Sequence, residues 1–203
     1  ALTAFQGMDA FFHAVEGYLA NIANRASDYF ALDAIALVAK WLPVAVADGR
    51  NLEARTAMAW ANTAAGIVES LSCCISHHSL EHAISAHHPE VPHGAGLTMT
   101  SVAYFSKLAE KAPERFPAMA RAMGEDVDGL PEAERPAAFI RALRKLIAAV
   151  GQADLSPATY GISPAEAATI ARNSIATMGG LYALNPAELS EAEVADIFRA
   201  CYR

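Results

Sequence analysis

The sequence predicts an all-α fold, and three observations carry that expectation. Alanine, the strongest helix former, dominates the composition. The 12 glycines fall mostly at junctions. Alternating β-branched or aromatic and polar residues, the mark of half-buried strands, are nearly missing. With 203 residues the chain can bury a substantial core. No repeat or linker divides it, so residues 1–203 are expected to form one helical bundle of about eight helices.

Taken in order, a first helix starts near Thr3 to Gln6 and runs to about Ala20, with Asp9 and His13 sharing a face at i, i+4. Glu16, a turn further on, either supports that face or is solvated. Ser27-Asp28 is the expected N-cap of the second helix, whose apolar side is Tyr29, Leu32, Ile35, Ala36, Val38 and Ala39. Pro43 should end or kink it, and Asp48-Gly49 closes the segment. Asn51 then caps a long helix expected to run from Leu52 toward Ser85 as the buried centre of the fold. Ala57, Ala61, Ala64, Ala65 and Gly66 give it a face that neighbours can approach closely, and Cys73 and Cys74 sit inside it as small buried hydrophobes.

Ala95 to Glu110 reads as the next helix, its dipole placing partial positive charge beside His93. A short helix over Pro113 to Met123 stops at Gly124, and Glu125 to Gly129 is a solvated acidic loop without calcium-loop spacing. Pro136 opens a helix to Val150, with Phe139, Ile140, Leu143, Leu146 and Ile147 inward and Arg141, Arg144 and Lys145 outward. Ser163-Pro164-Ala165-Glu166 is a capping box whose helix runs to about Met178, where Gly179-Gly180 should stop it. Asn185-Pro186 is a turn, and Ser190 to Glu193 is a second box leading a last helix to Cys201.

The net charge of −7, without a basic stripe, argues against a nucleic-acid partner. Hydrophobic residues make up 54%, yet no run reads as an uninterrupted membrane span. No basic n-region precedes a short apolar stretch, and three cysteines make no disulfide framework. A cytoplasmic setting is expected.

Six of the seven histidines lie between His77 and His93. In a helix before Pro89, His78 and His82 share one face, and His93-Gly94 follows in a turn after Pro92. Such a frame suits a divalent metal; the alternative is a polar surface helix rich in histidine, just as Asp9 and His13 alone could merely decorate a helix start. Asp9, His13, His78 and His93 together make one carboxylate and three imidazoles, a set suited to ferrous iron or zinc. Glu81 directly precedes the second histidine of the pair, where zinc-peptidase chemistry wants a glutamate directly after the first. There is no His-Asp dipeptide, and the one Glu-x-x-His, Glu90 to His93, is interrupted by Pro92. Nucleophile-elbow, phosphate-loop and dinucleotide-fingerprint motifs are missing from these residues.

The segment Gln6-Gly7-Met8-Asp9-Ala10-Phe11-Phe12-His13-Ala14-Val15-Glu16 resembles the Gly-x-Asp-Ala-x-x-His-Ala-x-Glu signature of the iron-dependent (group III) alcohol dehydrogenases. His78-Ser79-Leu80-Glu81-His82-Ala83, followed by Pro92-His93-Gly94, resembles that family's second signature. The resemblance covers essentially the whole chain but only the C-terminal half of a family member. It implies a dehydroquinate synthase-like helical domain, with NAD(P) bound by an N-terminal α/β domain that these residues do not include. It also implies metal ligation by Asp9, His13, His78 and His93, and an active-site role for His82 close to metal and substrate. The spacing from His82 to Pro92 is one residue longer than the commonest pattern, which leaves open a site-neighbour role for His87 and His88 and an exchange between His78 and His82.

In a whole enzyme the resemblance implies Lewis-acid catalysis of hydride exchange between small alcohols or aldehydes and NAD(P), with His82 relaying the proton. Fe2+ is the first expectation for the metal and Zn2+ the alternative. The chain alone is expected to be inactive and to form a homodimer or larger species. The competing function is a free-standing metal- or partner-binding module without dehydrogenase chemistry.

Overall fold

Helix α1 (Leu2–Leu19) runs through the middle of the bundle, with 12 of its 18 residues buried. The computed structural model describes residues 1–202, in which nine α-helices and no strand occur. The expected all-α class is what the chain adopts. Phe11 and Phe12 of α1 stack on Phe139 and Phe105 of two other helices and so anchor the aromatic core. Burying rings of this size is the largest single contribution a residue makes to such a core.

Helix α2 (Arg25–Ala47) packs on α1 and on α3 (Leu52–Leu71). Its N-cap is Asn24 rather than Ser27-Asp28: the Asn24 carboxamide accepts from the N–H groups of Ala26 and Ser27, and Ser27 answers as the other half of a capping box. Pro43 lies inside α2 and does not end it. Among the described residues α2 is the one helix long and apolar enough to cross a membrane, contrary to the expectation that no run is; its Ala31, Ala34, Ile35, Val38 and Leu42 are buried in the core.

The expected helix from Leu52 to Ser85 is two helices, α3 and α4 (Ser76–His87). The break has a tertiary cause. Ser72 Oγ donates to Gly17 O at 2.9 Å, while the N–H groups of Ile75 and Ser76 turn to Glu16 Oε2 and Asn185 Oδ1 at 2.9 and 3.0 Å. These partners satisfy donors that a continuous helix would have used internally. Nor is α3 the buried centre: Ala54, Ala61, Ala64 and Ala65 face the core, but Trp60 and Gly66 are exposed.

Helix α5 (His93–Lys111) starts at His93 itself, with Pro92 as N-cap, and packs on α1, α4, α7 and α9. Gly94 is required there, because a Cβ would collide with the backbone oxygen of Phe5. Helix α6 (Phe116–Ala122) is short. In α7 (Arg135–Ala149) the expected apolar stripe is buried apart from half-buried Ile140, and the three basic residues are exposed. The Ser163–Glu166 box opens a 3-10 turn that leads into α8 (Ala167–Tyr182). The main run of α8 ends at Met178, as expected: the backbone leaves helical geometry there, its carbonyl accepts a hydrogen bond from Ser79 Oγ at 2.9 Å, and a last short turn runs on through Gly179-Gly180 to Tyr182. The Ser190–Glu193 box caps α9 (Glu191–Arg199) as expected.

Candidate metal centre

The second motif places His77 and His78 at the N-terminus of α4 and His93 at that of α5, while Asp9 and His13 project from the middle of α1. Asp9 Oδ1 lies 3.2 Å from His13 Nδ1, 3.5 Å from His78 Nε2 and 3.4 Å from His93 Nε2. Donor atoms of Asp9, His78 and His93 all stand within 4.8 Å of one another. Ligands of a tetrahedral ion, with metal–nitrogen bonds of about 2.0–2.1 Å, stand roughly 3.3 Å apart. The spacing therefore suits one cation. His13 is beside this trio rather than inside it, its ring 4.4 Å from that of His78 and its Nδ1 3.0 Å from the Asp9 carbonyl.

Asp9 Oδ1 and His78 Nε2 are buried and have no hydrogen-bond partner. An unpaired buried acceptor costs about 1–3 kcal/mol, more if charged, so such atoms left facing each other fit an ion better than a hydrogen-bonded core. The chemistry of the set, one carboxylate and imidazoles, agrees with ferrous iron or zinc.

Two buried carboxylates orient the rings from behind. Glu16 Oε1 lies 2.6 Å from His78 Nδ1 and 2.9 Å from His77 Nδ1, and Glu16 Oε2 accepts from the backbone N–H of Ile75 and of His78. A carboxylate at the start of α4 also complements the positive end of its dipole. Glu81 Oε2 contacts His93 Nδ1, and Ser85 Oγ donates to Glu81 Oε1 at 2.6 Å. Gly96 makes room for Glu81, since a Cβ there would meet Oε1 at 2.7 Å. Carboxylates hydrogen-bonded to the far nitrogen of metal-binding histidines commonly fix tautomer and ring orientation. In the sequence neither carboxylate is marked for this role beyond an i+3 spacing of Glu16 from His13 and an i−1 spacing of Glu81 from His82.

Electrostatics follow from this wiring. Burial works against ionised Asp9, but the imidazoles of His13, His78 and His93 crowded around it hold its carboxyl well below the usual range. Burial likewise works against protonated His78, yet the Glu16 charge and Asp9 push it up to about 10. His93 is pushed up to about 9 by Asp9 and Glu81 despite its own burial. His82 differs: burial and the neighbouring charges of His93 and His78 lower its pKa. It sits exposed on the rim, its ring 5.4 Å from that of His93 and 6.4 Å from that of His78.

His77 is fully buried among Phe12, Tyr104 and Phe105. Its Nε2 lies 3.0 Å from Thr100 Oγ1, so it ties α1 to α5 through Glu16. His87 is exposed, and His88 pairs with Glu166 at 2.8 Å, linking the end of α4 to the turn before α8. Cys74 is buried, as expected of it, but in the link between α3 and α4 rather than inside a helix.

The model of the C-terminal part of the Fe-containing alcohol dehydrogenase family matches residues 3–202. A 1,3-propanediol dehydrogenase of Citrobacter freundii is 34% identical over 203 residues, covering 99% of this chain and 51% of that protein. An NAD-dependent methanol dehydrogenase of Bacillus methanolicus is 37% identical over 146 residues, covering 71% of this chain and 38% of that protein. Among solved structures, a 1,3-propanediol oxidoreductase superposes with a TM-score of 0.94 at 32% identity, over all of this chain and 52% of its own. An alcohol dehydrogenase from Oenococcus oeni gives 0.93 at 32% identity, over 99% of this chain and 51% of its own. The chain spans about half the length of the curated relatives that it matches over nearly its whole length. It belongs to the iron-containing alcohol dehydrogenases, a family of oxidoreductases, and corresponds to their C-terminal part.

Proposed function

We propose that residues 1–203 act as one helical metal-binding domain of an iron-type alcohol dehydrogenase, with Asp9, His13, His78 and His93 holding a divalent cation. Ferrous iron is the first choice and zinc the alternative. The observation that carries this reading is the unpaired Asp9 Oδ1 set 3.4–3.5 Å from Nε2 of His93 and His78. When bound, the ion supplies Lewis-acid polarisation of an alcohol or carbonyl oxygen while NAD(P) exchanges the hydride.

The chain's own residues prepare that chemistry. Glu16 and Glu81 hold Nδ1 of His78 and His93, so Nε2 of each ring stays turned toward Asp9. His82, lowered in pKa and open to solvent, is the base that takes the proton released from an alcohol and returns it in the reverse direction. The substrate is a small alcohol or aldehyde. NAD(P) binding is assigned to the part of the relatives' length that this chain does not span.

The same reading puts the protein in the cytoplasm as a homodimer or larger, with no nucleic-acid or membrane partner; three cysteines outside any disulfide fit a reducing compartment. The half-length match also supports a second reading, a metal-binding module without dehydrogenase activity. Metal analysis of chain purified without chelator tests the centre: about one ion per chain is expected, lost in His78→Ala and in His93→Ala. Full occupancy in both variants would remove the assignment.

A further inference from the structure

Cys74 lies in the link between α3 and α4, four residues before His78, with its side chain 4% exposed. Donor atoms of His13, Cys74 and His78 stand within 4.8 Å of one another. Hydrogen bonding decides which atoms are available. His78 Nδ1 is held by Glu16 at 2.6 Å and His13 Nδ1 by the Asp9 carbonyl at 3.0 Å, which leaves Nε2 on each ring. The Nε2 of His78 is buried and has no partner. His78 thus belongs to two groups, one with a thiol and one with a carboxylate, and its free Nε2 lies 3.5 Å from Asp9 Oδ1.

We propose that His13, Cys74 and His78 form a second, softer cation site that takes zinc or another thiophilic divalent ion and competes with the iron-type centre for His78. The two sites share the rings of His13 and His78, and one imidazole nitrogen cannot serve two ions. Thiolate donors select zinc-like cations, while a carboxylate and imidazoles suit ferrous iron. The identity of the ion therefore decides which set closes, and zinc in the softer set withdraws His78 from Asp9 and His93. On binding, the Cys74 S–H bond breaks and a sulfur–metal bond forms. The proton passes to Glu69 Oε2, 3.0 Å from Sγ, and from that half-buried carboxylate to solvent. Nothing is oxidised or reduced. The site shares His13 and His78 with the centre proposed above but does not depend on iron binding there.

The test is titration of the metal-free chain with Co2+ under reducing, oxygen-free conditions. A sulfur-to-cobalt charge-transfer band should develop in the parent chain and in Cys73→Ser, and be lost in Cys74→Ser. It should persist in Asp9→Ala, which lacks a ligand of the harder set only; iron binding lost there with the sulfur band kept separates the two sites. X-ray absorption of the zinc-loaded parent chain needs no variant and should show one sulfur at about 2.3 Å beside nitrogen neighbours. A cobalt form without a sulfur band, a band that survives Cys74→Ser, or a zinc form with no sulfur neighbour overturns the proposal.

Discussion

Glu16 Oε1 lies 2.6 Å from Nδ1 of His78, and both side chains are buried. This contact favours the ring orientation that points Nε2 of His78 toward Asp9. Turning the ring over would give up the short hydrogen bond to Glu16 and leave that carboxylate to His77 and two backbone N–H groups. Glu16→Gln should therefore weaken metal binding by about 10–100-fold while leaving the helical content intact. Chelator competition with Fe2+ or Zn2+ reads the affinity and circular dichroism the fold. Unchanged affinity would mean the carboxylate serves only the start of α4.

His82 should separate from the ligands. It is exposed and stands 5.4 Å, ring to ring, from His93. In a full-length protein carrying this domain, His82→Ala should keep near-normal metal content and lose turnover by about 10²–10⁴-fold, the usual scale of general acid–base catalysis. Loss of the metal instead would make His82 a ligand.

The pH dependence of the metal-free chain has a definite sign. His78 and His93 are raised from 6.5 to about 10 and about 9. Groups raised on folding stabilise the fold fully below their unfolded pKa, and that contribution is lost as pH rises through the folded values. The melting temperature of chelator-treated chain should fall as pH climbs from about 6.5 toward 9 and 10. Metal affinity should move the other way over the same range, with protons released on binding, since ligating imidazoles must be neutral. Thermal melts and proton-release calorimetry check both, and a flat melting profile would contradict the wiring.

Hydride transfer needs a nicotinamide held against the substrate carbon, and no glycine loop for a pyrophosphate is readable in these 203 residues. The chain alone should show negligible NAD(P)-dependent alcohol oxidation and little dinucleotide binding by calorimetry. It also exposes Tyr29, Leu52 and Trp60 on α2 and α3, at 74%, 79% and 46%. Exposed apolar surface of this kind favours association, so light scattering should find a dimer or larger species. Robust turnover by the chain itself would overturn this expectation.

What the sequence determined by itself was local. The caps at Asn51, Ser163 and Ser190 and the stripe of α7 depend on residues within a turn or two of each other, and all of them form. The spacing of Asp9, His78 and His93 likewise marked side chains whose donor atoms come together, with His13 beside them. Tertiary structure decided what depends on distant partners. The break between α3 and α4 exists because Ile75 and Ser76 donate to Glu16 and Asn185, 59 and 109 residues away in sequence. Glu16 became the support of two histidines rather than a solvated acid for the same reason, and His88 left the site for Glu166, 78 residues on. Gly179-Gly180 carried a stop signal and α8 does break at Met178, but that Ser79 of α4 takes up the carbonyl released there depends on a residue 99 positions away. A backbone group finds its partner wherever the packed chain offers one, and helix propensity reports only the partners within reach along the sequence.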